Sequence, residues 1–361
     1  LVLIKWKQVK TLREGDVCSE TILGNVPEDI VIRNGERITL LTIQKLIGRG
    51  IDWISVFDDE EEYDTAVNDL FSEEKLEKFS SELSQVCEET LKEGRIDIDK
   101  TKHISDEINK EIIEEYGEYV VPSLVKLKKM DDYTFTHQVN VAIIATILAT
   151  EKYGKEKDVI EKFTMGGLLH DMGKLWIPEE IIKSNERLKS FEFDIIKKHP
   201  EYGYKIAVTS GLENQAILNA IKYHHERWDG KGYPEGLAQL GIPLEGRLLM
   251  VADVYDALTT RRPYKEPWEP YEAVSFIVKQ SKKMFDSEIV RLFLLSFGLY
   301  PVNTKVILTT GELALVVANK RGSITRPIVK VIRKNQEVDI DLSKDDKVSI
   351  KKVLKVRMLR D

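Results

Sequence analysis

The sequence predicts a mainly α-helical protein, with a small α+β module ahead of a helical core and a β-hairpin extension after it. Three observations predict this. Between about residue 66 and residue 298 the apolar residues recur at helical spacing. Residues 1–65 instead mix short apolar alternations with turn signals, and after Tyr300-Pro301 β-branched runs take over.

In the first module Val9–Leu12, Glu20–Leu23 and Asp29–Arg33 read as short extended runs, with Asn34-Gly35 as a hairpin-type turn. Thr42–Ile47 reads as a short helix ending at Gly48, followed by a strand at Trp53–Phe57. The acidic run Asp58–Glu62 reads as a solvated linker. Leu76, Phe79, Leu83 and Val86 then form one apolar stripe, and Ile104, Ile108, Ile112 and Ile113 a second. Such stripes mark core or a helix–helix dimer seam, and His103 beside the second reads as a surface residue. Thr304–Leu308, Ala314–Ala318, Ile328–Ile332 and Val348–Val353 are strand-like runs separated by Gly311, Gly322 and Asn335. The expected domains are 1–65 (α+β, with a sensory role), 66–130 (linking helices and dimer seam), 131–300 (catalytic) and 301–361 (β extension).

The whole chain limits the function classes. A net charge of −7 over 361 residues argues against a DNA- or RNA-polymer partner, yet allows a small anion held in a local pocket. Two cysteines, Cys18 and Cys87, are too few for a disulfide framework and fit a reducing compartment. The most apolar run, Val139–Ala149, is too short to span a bilayer. No signal-peptide pattern is visible, so the expected location is cytoplasmic.

The chemistry gathers in the helical region, where five of six histidines fall between residues 137 and 225. Imidazole and carboxylate are ligands for Fe, Mn and Zn. His137 opens a helix apolar nearly all round, which is expected to be buried. His170 and Asp171 close the apolar segment Phe163–Leu169. On a continuing helix adjacent residues point about 100° apart, so this pair is expected to reach two ions, or one ion and the groups just outside its ligands, and rarely one ion in the same direction. Asp171, with two oxygens, is the natural bridge, and Lys174 can lie beside the same pocket. Pro200 suits a first helical turn, so His199 is expected at or before the N-cap. Ile217, Ala220, Ile221 and His224 share a face, with His225 a little around from it, and Asp253 shares one with Leu249 and Asp256. Seven candidates (His137, His170, Asp171, His199, His224, His225 and Asp253) exceed the needs of one tetrahedral ion. They fit two or more octahedral ions, an arrangement suited to in-line displacement at phosphorus.

Over residues 130–300 these segments resemble the HD-GYP family, a branch of the HD-superfamily metal-dependent phosphohydrolases. The likeness rests on Tyr133–His137, His170-Asp171-Met172-Gly173-Lys174, His199–Gly203, His224–Pro234, Val251–Thr259 and Arg262–Lys265. It implies an HD-type helical bundle that hydrolyses cyclic di-GMP to pGpG, and on to GMP, through a metal-bridging hydroxide. It implies that the seven residues are metal ligands, that Lys174 and Asp171 are catalytic, and that Lys174, Gly232, Tyr233, Pro234, Arg262 and Lys265 contact substrate. The implied cofactors are two or three divalent ions, iron first and manganese second. The family's extra ligand for a third ion has no clear counterpart: Asp131 and Asp132 are the nearest acids, and Tyr133 stands four before His137. A homodimer is the expected assembly. Two other readings are a hydrolase of another cyclic dinucleotide and a non-hydrolytic cyclic-di-GMP receptor. Lost metal ligands would mark the receptor, and none is missing.

Overall fold

The computed structural model describes residues 3–13, 15–18, 22–23, 30–33, 36–58, 71–115, 133–182, 189–260, 267–333 and 336–354. The chain divides into two compact units that part between Ala66 and Val67. In the first, β1 (Leu3–Gln8), β5 (Trp53–Asp58) and β2 (Val17–Cys18) form an antiparallel sheet in the order β1-β5-β2. A hairpin pairs β3 (Ile22–Leu23) with β4 (Ile30–Ile32), and α1 runs from Leu40 to Gly48. Thr39 caps α1 by accepting from the Thr42 amide. Val9, Ile32, Ile38, Leu46, Ile54 and Val56 make its core. Two differences from expectation stand out here. Val9–Thr11 is a 3-10 turn rather than extended, and the strand lies just before it in β1. The Asn34-Gly35 turn and nearly all of the acidic run fall outside the described residues.

The second unit is built on helices α2 (Glu73–Glu93), α3 (Ile98–Glu115), α4 (Tyr133–Tyr153), α5 (Lys157–Leu169), α6 (Glu179–Ile182), α7 (Ser190–Ile196), α8 (His199–Thr209), α9 (Gln215–Tyr223), α10 (Leu244–Thr259), α11 (Pro270–Lys279) and α12 (Ser287–Phe297). Helix α4 is the centre. Every residue from Thr136 to Thr150 is buried, as its all-round apolar pattern requires. Helices α2, α3, α5, α10, α11 and α12 contribute to the same apolar core. The stripes of α2 and α3, left open as a dimer seam, are buried inside this unit: Leu76, Phe79, Leu83, Ile104, Ile108 and Ile112 all lie in that core. A homodimer would need another surface. Interhelical pairs such as Lys78–Glu107 (2.7 Å) and Lys100–Glu89 (2.6 Å) are exposed, so the apolar stripe and not the charges holds α2 on α3. His103 is exposed beside Glu107, as a surface residue.

Strands β6 (Lys305–Leu308), β7 (Leu313–Ala318), β8 (Ile328–Arg333), β9 (Gln336–Asp341) and β10 (Ile350–Val353) form one antiparallel sheet in the order β10-β6-β7-β8-β9. It belongs to the same compact unit as the helices. Arg321 pairs with Glu151 of α4 at 2.9 Å, and Tyr300 stacks on Tyr271 of α11 at 5.9 Å. Among the described residues no helix is long and apolar enough to cross a membrane.

Candidate metal centre

Helices that end at the same interior point create the site. Helices α5 and α9 stop at Leu169 and Tyr223, and the next residues are His170 and His224. The last carbonyls of a helix have no partner within it. His170 Nδ1 fills that role for the Gly167 carbonyl at 2.7 Å, and His224 Nδ1 for the Ile221 carbonyl at 2.8 Å. His199 does the same behind α7, with Nδ1 2.8 Å from the Ile196 carbonyl. A carbonyl only accepts, so in all three rings Nδ1 carries the hydrogen and Nε2 presents its lone pair when the ring is neutral. The negative ends of the helix dipoles of α5 and α9 point the same way and favour a cation.

His199 is the first residue of α8, one step further in than the proline implied, because Lys198 before it already has helical φ/ψ. The tight packing has a visible cause at Gly173. A Cβ there would sit 1.9 Å from the His199 carbonyl oxygen, so only glycine lets the short 3-10 helix Met172–Trp176 lie against α8.

Asp171 is the hub. Its Oδ1 lies 3.2 Å from His199 Nε2 and 3.9 Å from His224 Nε2, while Oδ2 lies 3.3 Å from His170 Nε2 and 3.7 Å from His137 Nε2. Two sets of potential ligand atoms result, each lying within 4.8 Å of one another: His137, His170 and Asp171 in one, Asp171, His199, His224 and His225 in the other. Asp253 lies between the sets, 3.2 Å from His137 Nε2 and 3.7 Å from His225 Nδ1. All seven predicted residues are therefore brought together. One expectation is corrected: His170 and Asp171 do converge on a single set. The helix ends at Leu169 and Asp171 leaves helical geometry (φ −99°, ψ 3°), so the 100° rule of a continuing helix no longer separates them.

The residues fit bound cations on their own chemistry. His170 Nε2 and Asp171 Oδ1 are buried and make no hydrogen bond among the described residues. The Nε2 atoms of His199 and His224 face each other at 3.1 Å although both Nδ1 atoms carry the hydrogen. Opposed lone pairs and an unbonded buried carboxylate oxygen need positive charge between them. Burial, with His225, His170 and His199 close by, pushes His224 well below the usual histidine range. Burial, helped by His199 and opposed by Asp253, pushes His225 down to about 3. Both are therefore neutral, as ligands must be. Burial alone would raise Asp171, but His170 and Lys174 outweigh it and hold the carboxyl well below the usual carboxylate range.

Lys174 Nζ lies 2.5 Å from Asp171 Oδ2 and remains partly exposed at the mouth. Tyr233 packs its ring 4.6 Å from that of His225, and burial with Asp253 and Asp171 nearby raises its hydroxyl. Its amide donates to the His225 carbonyl at 3.2 Å. Gly232 is again forced by close approach, since a Cβ would lie 2.4 Å from the Arg227 nitrogen. Arg262 and Lys265 fall outside the described residues.

Sequence reasoning missed two groups. Glu226, inside the His224–Pro234 segment, is buried and accepts the Glu235 amide at 2.7 Å, a contact no spacing announces. Asp256 accepts from His137 Nδ1 at 2.6 Å; its place one turn beyond Asp253 was the only signal.

A family model described as "HD domain" matches residues 124–289. Over 210 residues the chain is 37% identical to a cyclic di-GMP phosphodiesterase of Pseudomonas aeruginosa, covering 58% of this chain and 50% of that protein. It is 40% identical over 147 residues to the cyclic di-GMP phosphodiesterase response regulator RpfG of Xanthomonas campestris pv. campestris, covering 40% of this chain and 38% of that one. It is 30% identical over 230 residues to the cyclic di-GMP phosphodiesterase PdeB of Borreliella burgdorferi, covering 62% and 60%. The chain thus spans between 38% and 60% of the length of these relatives.

Proposed function

The chain carries an HD domain of the HD-GYP type, and from that premise we propose that it is a metal-dependent phosphodiesterase that hydrolyses cyclic di-GMP to pGpG and on to GMP. One observation carries the reading: two sets of ligand atoms share a single carboxylate, Asp171. His137, His170 and Asp171 would hold one divalent cation and Asp171, His199, His224 and His225 a second, with Asp253 reaching towards both. Iron first and manganese second are the ions that the HD-GYP resemblance implies, and the carboxylate and imidazole donors are compatible with either. Bound cations would supply Lewis-acid polarisation of the phosphoryl oxygens and a lowered pKa for attacking water.

The chain's own residues do the rest. Asp171 sets the spacing of the two positions because each of its oxygens faces a different set. Lys174, partly exposed beside Asp171, would place its ammonium on the scissile phosphate, where charge develops. Tyr233 keeps its proton, since burial raises the hydroxyl, and so acts as a donor to substrate oxygen. Gly232 and Pro234 shape the backbone that presents it. Arg262 and Lys265 are proposed as further phosphate or guanine contacts. The expected surroundings are cytoplasmic, with no nucleic-acid polymer as partner.

The test is turnover of cyclic di-GMP by protein loaded with Fe2+ or Mn2+, read by chromatography beside a cyclic GMP-AMP control. Formation of pGpG and GMP supports the reading. Faster cleavage of the mixed dinucleotide would move the substrate. Tight binding of cyclic di-GMP without cleavage by fully loaded protein would leave only a receptor.

A further inference from the structure

His137 differs from the other buried site histidines in how its ring is held. His170, His199 and His224 each use the carbonyl three residues back, at a helix end. His137 lies in the second turn of α4, away from any such end. Its Nδ1 instead meets Asp256 Oδ2 at 2.6 Å, from α10.

That carboxylate is itself held. Asn140 Nδ2 donates to Asp256 Oδ1 at 2.7 Å, and Thr260 Oγ1 donates to the same oxygen at 2.9 Å. Asn140 lies three residues along α4 from His137, and Thr260 is the residue that caps the end of α10, so the clamp is drawn from both elements. The amide of Asn140 is oriented by chemistry, since a carboxylate only accepts. Its own Oδ1 is left buried without a hydrogen bond among the described residues. A buried polar atom given up this way is unexpected in a merely structural pair and fits one that serves the neighbouring carboxylate.

On the reading that the centre holds divalent cations, we infer that Asp256 is the positioning residue for His137, a carboxylate that fixes its Nδ1–H tautomer and aims Nε2 at the set it shares with His170 and Asp171. A carboxylate behind an imidazole makes it a more basic ligand than a carbonyl does. The two cation positions are therefore unequal: one has a carboxylate-backed histidine, and the other relies on histidines of which two are carbonyl-backed.

The test needs no substrate, so it stands apart from the phosphodiesterase reading. Mn2+ affinity is measured by calorimetry with chelator competition on the full chain, on Asp256→Asn, on His137→Ala and on the double variant. Asp256→Asn keeps the shape and removes the charge; it should weaken one class of Mn2+ site by about 10–100-fold. In the His137→Ala background the same change should do almost nothing, because the effect passes through the ring. The metal-free melting temperature checks folding. Where Asp256→Asn fails to fold, Thr260→Val and Asn140→Ala take its place, each expected to weaken the same class several-fold. Unchanged Mn2+ affinity, or an equal loss with and without His137, would overturn the assignment.

Discussion

His137, His170, His199 and His224 are each committed by the atom that Nδ1 touches, and at His137 this bears on how the centre responds to pH. Burial would lower His137, but hydrogen bonds with Asp253 and Asp256 outweigh it and raise the ring from 6.5 to about 9. In cation-free protein His137 therefore stays protonated at neutral pH. The raised value contributes stability that is fully present below pH 6.5 and lost as pH rises through about 9. A cation must displace that proton, so Mn2+ affinity should climb between those limits, by up to about tenfold per pH unit. Calorimetry in buffers of different ionisation enthalpy should register roughly one proton released per chain at pH 7; release of none would sink this account. Lys174→Ala should lower kcat on the order of 10²–10³-fold with a smaller change in KM, the pattern of a group that meets developing charge. A raised KM with kcat unchanged would make Lys174 a general binding residue instead. At this scale much was legible, because His170-Asp171 and His224-His225 lie next to helix ends that the apolar pattern marks. Asp256 was not, since its role exists only where α10 crosses α4.

Helix ends and close crossings, rather than helix interiors, decide the geometry one scale up. Gly173→Ala would force a Cβ against the His199 carbonyl and drive the 3-10 helix away from α8. About 1–3 kcal/mol of destabilisation is expected from overpacking, together with loss of bound metal as Asp171 moves from His199. A variant that melts lower yet keeps its full metal content would separate the packing from the site. Leu83→Ala tests the fate of the α2 stripe. Buried at 0% exposure in the helical core, it should cost about 2–5 kcal/mol at any protein concentration. A loss that vanished at high concentration would return the stripe to a dimer seam. The helices were readable because 3.6-residue periodicity survives in a single sequence. Strand β9 was not: Gln336–Asp341 alternates charge with only Val338 and Ile340, and its pairing with β8 decides it. Strand β1 escaped for a different reason: Ile4-Lys5-Trp6-Lys7 does alternate, but over only four residues, and its register with β5 is what extends it over Leu3–Gln8.

For the molecule as a whole, the ligands' distribution along the chain matters more than any one contact. His137 and Asp253 are separated by more than a hundred residues, yet their side chains meet at 3.2 Å. Cation binding at the proposed centre would therefore tie α4, the ends of α5 and α9, the start of α8 and α10 into one cooperative body. The first unit has its own apolar core and contributes none of these ligands. Calorimetry should accordingly resolve two transitions, of which only the larger responds to metal. At a free Mn2+ concentration about a hundred times the dissociation constant, one site adds about 2.7 kcal/mol to that transition, and a chelator removes it. The smaller transition should stay where it is with or without Mn2+. If both transitions shifted together, the two units would unfold as one, and the boundary between Ala66 and Val67 would separate cores without separating stabilities.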